Sequence, residues 1–178
     1  MTGTSPLQRT LFFAGTHELL IDDKNRLLIP SQFRKKIDPK VDGQSLFVNL
    51  KLVKLNVLEN AFIPWIYPEA FYRNMVNQQA PPLLEPSEEQ QEYSRFNQGM
   101  GAELEWDNQG RVVLPEEILG TAALGKEVTL VGAQEHLELW NRAKWTAYRE
   151  RLIANADAIK AWAQKSHAQP KSESKDAI

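Results

Sequence analysis

The chain carries one thirteen-residue pattern twice. Residues 18–30 read ELLIDDKNRLLIP and residues 103–115 read ELEWDNQGRVVLP, at a constant offset of 85. Glu18 matches Glu103, Asp22 matches Asp107, Arg26 matches Arg111 and Pro30 matches Pro115. With seven Asp and nine Arg in 178 residues, a shuffled chain would hold fewer than one Asp-x-x-x-Arg spacing. This chain holds two, both in the same context. A repeat of this kind restricts the fold to two related halves, each with an apolar side that its neighbour must cover.

Each copy reads as strand, turn, strand, helix. Leu19 and Ile21 alternate with Glu18 and Leu20, and Leu104 and Trp106 with Glu103 and Glu105, the period of a half-buried strand. The tetrads Asp22–Asn25 and Asp107–Gly110 are turn formers, with Asn25 and Gly110 where a left-handed backbone is tolerated. Leu27–Ile29 and Val112–Leu114 are unbroken aliphatics and predict a second strand buried on both faces. Pro30 and Pro115 then stand as first residues of helices over 30–37 and 115–124. The first helix turns Phe33 and Ile37 inward and Arg34, Lys35 and Lys36 elsewhere; the second opens on Glu116 and Glu117.

Further on, Leu46, Val48, Leu50 and Leu52 alternate, and extra residues around 51–60 in the first copy read as an extended hairpin. In the second copy, strands over 128–131 and 137–140 flank a loop over 132–136. Helices follow over 68–77 and from Asn141, read as the cap. Trp65 and Tyr67, like Trp140 and Trp145, fall at equivalent points of the copies and read as packing aromatics. Ser87 caps a short helix, and Trp145, Tyr148, Leu152, Ala156, Ile159 and Ala163 form one helical stripe. The predicted organisation is a flexible tail over 1–10 and a first unit over 11–77. A Pro-rich linker with a short helix follows over 78–98, then a second unit over 99–150. A helical extension and disordered tail close the chain over 151–178.

Charge is distributed unevenly. Residues 1–85 sum to +2, residues 86–141 to −8 and residues 142–178 to +4, and the densest basic stretch is 22–40. A basic face is therefore compatible with an overall charge of −2. The absence of cysteine removes disulfides, thiolate metal sites and cysteine nucleophiles. No apolar run is long enough to span a membrane, and a cytoplasmic protein is expected. His17, His136 and His167 lack metal-ligand spacing, so no metal and no cofactor is expected. Paired acids such as Glu88/Glu89 sit at helix starts, and no catalytic constellation emerges. The chain reads as no enzyme.

The paired D-x-K-x-R-φ-φ-φ-P and D-x-x-G-R-φ-φ-φ-P elements resemble the MraZ family of transcriptional regulators. Phe13-Ala14-Gly15 is similar to that family's F-R-G start, and E-L-W-N-R-A-K-W at 138–145 to its second-half ending. The resemblance covers roughly residues 11–150, with Ala14 in place of Arg and Asn25 in place of Gly. It implies an α+β fold of two tandem, pseudo-twofold-related AbrB-like units of short strands with flanking helices. It further implies a nucleoid-associated DNA-binding repressor. Such a repressor would act on direct repeats in the promoters of division and cell-wall genes, as a ring-shaped homo-oligomer. By position the DNA-facing residues are Lys24 and Arg26, with Arg34 and Lys35 on the following helix as additions. Asp22, Asn25, Asp107, Gly110 and Arg111 are positioning residues. For Asp107/Arg111 the residues alone favour an ion pair locking a hairpin, among acidic neighbours that repel phosphate. The rival reading is a ring-forming structural or protein-interaction module that has lost DNA binding.

Overall fold

The computed structural model describes residues 11–79 and 86–168. The expected tail over 1–10, most of the Pro-rich linker and the chain beyond 168 lie outside the described residues. The strands are β1 (Phe13–Leu20), β2 (Arg26–Leu28), β3 (Ser45–Lys54), β4 (Asn60–Pro68), β5 (Ala102–Glu105), β6 (Arg111–Val113), β7 (Glu127–Gln134) and β8 (His136–Asn141). The helices are α1 (Ser31–Arg34), α2 (Glu69–Gln79), α3 (Glu88–Ser94), α4 (Glu116–Thr121), α5 (Arg142–Ala154) and α6 (Ala156–Ala168). A π-helical turn, Arg95–Gly99, extends α3. The chain is α+β, as the repeat implies.

The two copies are interleaved. A six-stranded antiparallel sheet runs β1-β7-β8-β4-β3-β5, and a separate two-stranded ribbon pairs β2 with β6. The first strand of each copy therefore lies on a strand of the other: β1 on β7, from Phe13↔Gln134 to Leu20↔Glu127, and β5 on β3, from Ser45↔Glu105 to Val48↔Ala102. In the ribbon Leu27 faces Val112, flanked by Arg26↔Val113 and Leu28↔Arg111. A pseudo-twofold axis relates these pairings, and each edge strand of the sheet, β1 and β5, is paired with a strand of the other copy.

The core fills the space between one sheet face and the ribbon. Leu27, Ile29 and Phe33 from the first copy and Val112, Leu114 and Ile118 from the second are buried there with Leu46, Val48, Leu50, Leu104, Val128, Leu130 and Leu139. The ribbon covers the core with one side only. Leu28 is 46% exposed and Val113 58%, against 0% for Leu27 and 1% for Val112. The expectation of strands buried on both faces is thereby corrected: these are edge-on ribbon strands whose period-two alternation is masked by aliphatic residues on the wet side.

Other boundaries move for local reasons. Pro30 (φ −54°, ψ 140°) and Pro115 (φ −61°, ψ 139°) are the residues just before their helices, not the first helical ones. The helix expected over 30–37 is a single turn that tightens after Arg34. The loop expected over 132–136 contracts to a tight turn, since β7 and β8 pair as far as Ala133↔His136 and Gln134 takes φ +63°. The extra residues of the first copy do form a hairpin, in register from Leu46↔Pro68 to Lys54↔Asn60, with Val57 and Leu58 almost fully exposed at its tip. Ser87 caps α3 in a reciprocal capping box with Gln90.

The sheet's other face is aromatic and polar. Tyr72 of α2 stacks on Phe47 and receives a hydrogen bond from Asn49, and Lys51 donates to Asn97 of the π-turn. The ladder registers make Tyr67 the counterpart of Trp140 and Glu138 that of Trp65, so the tryptophans at 65 and 140 are not equivalent. Glu138 instead accepts from the indole N–H of Trp140. Residues 143–168 belong to a separate compact unit. Its two helices are divided at Asn155, and Tyr148 packs near Trp145.

Candidate nucleic-acid interface

Both turns are built by one carboxylate each. Asp22 Oδ1 accepts the backbone N–H groups of Lys24 and Arg26, both at 2.9 Å, and its Oδ2 accepts Arg26 Nε at 2.6 Å. Asp107 repeats this with Gln109 N at 2.8 Å, Arg111 N at 2.9 Å and Arg111 Nε at 2.6 Å. The turn closes only if its fourth residue is left-handed. Asn25 takes φ +57° and Gly110 φ +79°, so the substitution of Gly by Asn in the first copy keeps the conformation. The aspartate thus fixes the turn and aims the arginine at once.

These bonds favour the ionised carboxylates. The Asp107 carboxyl is held at about 2, below the ordinary 3.8, chiefly by the Arg111 backbone N–H and then by its guanidinium. Asp22 is lowered by the same groups of Arg26. A depressed carboxylate stabilises the fold above its unfolded value, and that contribution is lost as pH falls from about 4 toward 2. Thermal melting is expected to fall through that window, and an Asp107→Asn variant to show a shallower fall. An identical slope in the variant would mean the pair adds nothing to folding.

The ribbon sets which way each arginine points. Because Leu27 and Val112 face the core, Arg26, Leu28, Arg111 and Val113 share the outer side. Arg26 and Arg111 are diagonal neighbours across the two strands, and their side chains are 30% and 26% exposed. Lys24 is exposed at the tip of the first turn.

Interleaving separates the four sequence-predicted DNA-facing residues into two groups. The Asn25 carbonyl accepts Leu114 N at 2.8 Å, which lays Pro115–Glu117 of the second copy beside the first turn. The Gly110 carbonyl accepts Ile29 N at 3.1 Å, which lays Pro30–Arg34 of the first copy beside the second turn. Lys24 and Arg26 therefore stand at one end of the ribbon, and Arg34 and Lys35 at the other. Arg34 is half-buried: its Nε donates to the Ile29 carbonyl at 2.9 Å, and its guanidinium lies over Gly110. A Cβ at position 110 would come within 2.6 Å of that guanidinium. Lys35 is exposed. Asp23 of the first turn pairs with Lys126.

The adjacency of Arg34 to the second turn was not legible in either copy's sequence; the one signal was that Gly stands at 110 where Asn suffices at 25. Among the described residues no group of three or more His, Asp or Glu could hold a metal ion. No helix among them is long and apolar enough to cross a membrane.

The chain matches the family model described as "MraZ protein, putative antitoxin-like" over residues 12–93 and again over 100–166. It is similar to the Transcriptional regulator MraZ of Moorella thermoacetica, 32% identical over 136 residues, covering 76% of this chain and 85% of that protein. The protein of the same name from Pediococcus pentosaceus is 29% identical over 147 residues, covering 83% and 93%. That of Coxiella burnetii is 27% identical over 142 residues, covering 80% and 88%. With a doubled motif folded into two interleaved halves and a match over most of its length, this chain belongs to the MraZ family.

Proposed function

We propose that the chain is a sequence-specific DNA-binding regulator of transcription that represses promoters carrying direct repeats, and that Lys24 and Arg26 are its principal contacts. The observation that carries this reading is the outward, carboxylate-braced Arg26 on a two-stranded ribbon with Lys24 beside it. A β-ribbon fits the major groove, and an oriented guanidinium can pair bidentately with guanine. Asp22 and Asn25 act as positioning residues by shaping the turn. The relatives' shared name, Transcriptional regulator MraZ, supports the regulatory role. A cytoplasmic, nucleoid-associated location follows from a DNA partner.

Assembly into a ring would multiply one weak contact per subunit into a strong attachment wherever operator repeats match the subunit spacing. The exposed Leu52, Val57 and Leu58 of the β3–β4 hairpin supply apolar surface for contacts between copies.

The test is a titration of the protein onto the duplex upstream of its own coding sequence, at stepped salt, beside an Arg26→Ala variant. Wild-type affinity is expected to fall steeply with salt, and the variant to lose about tenfold or more in affinity at unchanged molar mass by light scattering. Equal, salt-insensitive binding by both would instead favour a scaffold that no longer holds DNA.

A further inference from the structure

The interleaving places opposite charge at the two ends of the ribbon. The segment laid against the first turn, 115–121, carries Glu116 and Glu117 and a net charge of −2. The matching segment laid against the second turn, 30–36, carries Arg34, Lys35 and Lys36 and a net charge of +3. Each turn's own residues sum to zero, with one Asp–Arg pair apiece and Lys24 balancing Asp23 in number, while Asp23 itself pairs with Lys126. The second turn is thus the more basic end of the ribbon, although its own copy is the acidic one.

Three acids near that end, Asp107, Asp38 and Asp42, are engaged. Asp107 is paired with Arg111. In the loop after α1, Asp38 Oδ1 accepts Lys40 N and Asp42 Oδ2 accepts Asp38 N. Glu105 lies on β5, two residues before Asp107. Arg34 and Lys35 make no ion pair with these acids, while Arg111 is braced by Asp107. Arg34 is fixed by the Ile29 carbonyl and the face of Gly110, Lys35 is exposed, and Arg111 points outward from the ribbon.

We infer that Arg111, Arg34 and Lys35 form a second DNA-backbone contact, composed of both copies, at the opposite end of the ribbon from Lys24 and Arg26. This inference rests on the proposed DNA-binding role. Three residue pairs make a ribbon about 10 Å long, and a major groove is about 12 Å wide. A ribbon entering the groove with its first turn toward the base edges brings its basic second end to a phosphate wall. The first turn, with its exposed Lys24 and braced Arg26, reads base edges. The second, with a point charge and two immobilised guanidiniums, grips phosphate without regard to sequence. The glycine at position 110 belongs to this arrangement, because it lets Arg34 lie flat on the turn.

Two substitutions test it on exposed side chains. Lys35→Glu is expected to weaken binding about tenfold, to the same degree on the duplex upstream of the chain's own coding sequence and on a shuffled duplex. It should also reduce the salt slope by about 0.9. Gln109→Lys, at the position matching Lys24, adds a cation to the second turn and is expected to strengthen binding to both duplexes and steepen the slope by a similar amount. Lys24→Ala reports on the first turn separately. If Lys24→Ala weakens binding while Lys35→Glu and Gln109→Lys leave affinity and slope unchanged, the second contact is refuted and the DNA-binding role stands. If Lys35→Glu changes the molar mass by light scattering and not the affinity, the basic end belongs to a contact between copies and the inference is overturned. Salt-insensitive wild-type binding would remove the DNA-binding role, and this inference with it.

Discussion

Replacing Leu27 with alanine is expected to lower the free energy of unfolding by about 3 to 4 kcal/mol. Leu27 is fully buried and opposes Val112 at the middle of the ribbon, where the second strands of the two copies meet. Its side chain sits in the same cluster as Ile29, Phe33, Leu114 and Ile118, drawn from both copies. A cavity there is flanked by backbone tied on both sides, by Ile29 N to the Gly110 carbonyl and Leu114 N to the Asn25 carbonyl, so the ribbon cannot collapse to refill it. Denaturant unfolding should show a lower midpoint at unchanged m-value. A loss below about 1 kcal/mol would mean the ribbon relaxes freely, and that the orientation of Arg26 and Arg111 is not set by core packing.

Gly132→Ala is expected to cost about 3 kcal/mol through a different route. Gly132 faces Gly15 across the β1–β7 ladder. A Cβ added there would lie 2.6 Å from Ala14 N and 2.7 Å from the Phe13 carbonyl carbon. These are backbone atoms of a strand paired over eight residues, so relief requires β1 to separate from β7. Since β1 belongs to the first copy and β7 to the second, the substitution strikes at the interleaving itself. Gly120 in α4 provides the control: nothing lies within 4 Å of its would-be Cβ. Gly120→Ala is therefore expected to be neutral or stabilising by under about 1 kcal/mol. Equal stabilities for the two variants by denaturant unfolding would show that β1 is loosely held.

The features legible in the sequence are those made by neighbours along the chain. The turn-forming tetrads, the left-handed residue at the fourth place of each, the Asp–Arg pair four residues apart and the Ser87 cap are all interactions within one turn of backbone, and residue type at fixed spacing decides them. The repeat made the turn assignments firmer, because one geometry had to satisfy both copies. Aliphatic content was a poorer guide. Leu28 and Val113 look like core, yet they lie on the wet side of a ribbon, a distinction that depends on what covers each face and not on the residues themselves.

The sequence by itself determined that this protein has two like units, each with an Asp–Arg-braced turn, and that basic and acidic helices follow the first and second turns respectively. Only the tertiary structure decided that each helix lies against the other copy's turn, so that the basic segment 30–36 reinforces Arg111 and the acidic segment 115–121 borders Arg26. The physical reason is that strand pairing is non-local. A single hydrogen bond from Ile29 to Gly110, across 81 residues of chain, fixes which charges share a surface, and no local spacing records it.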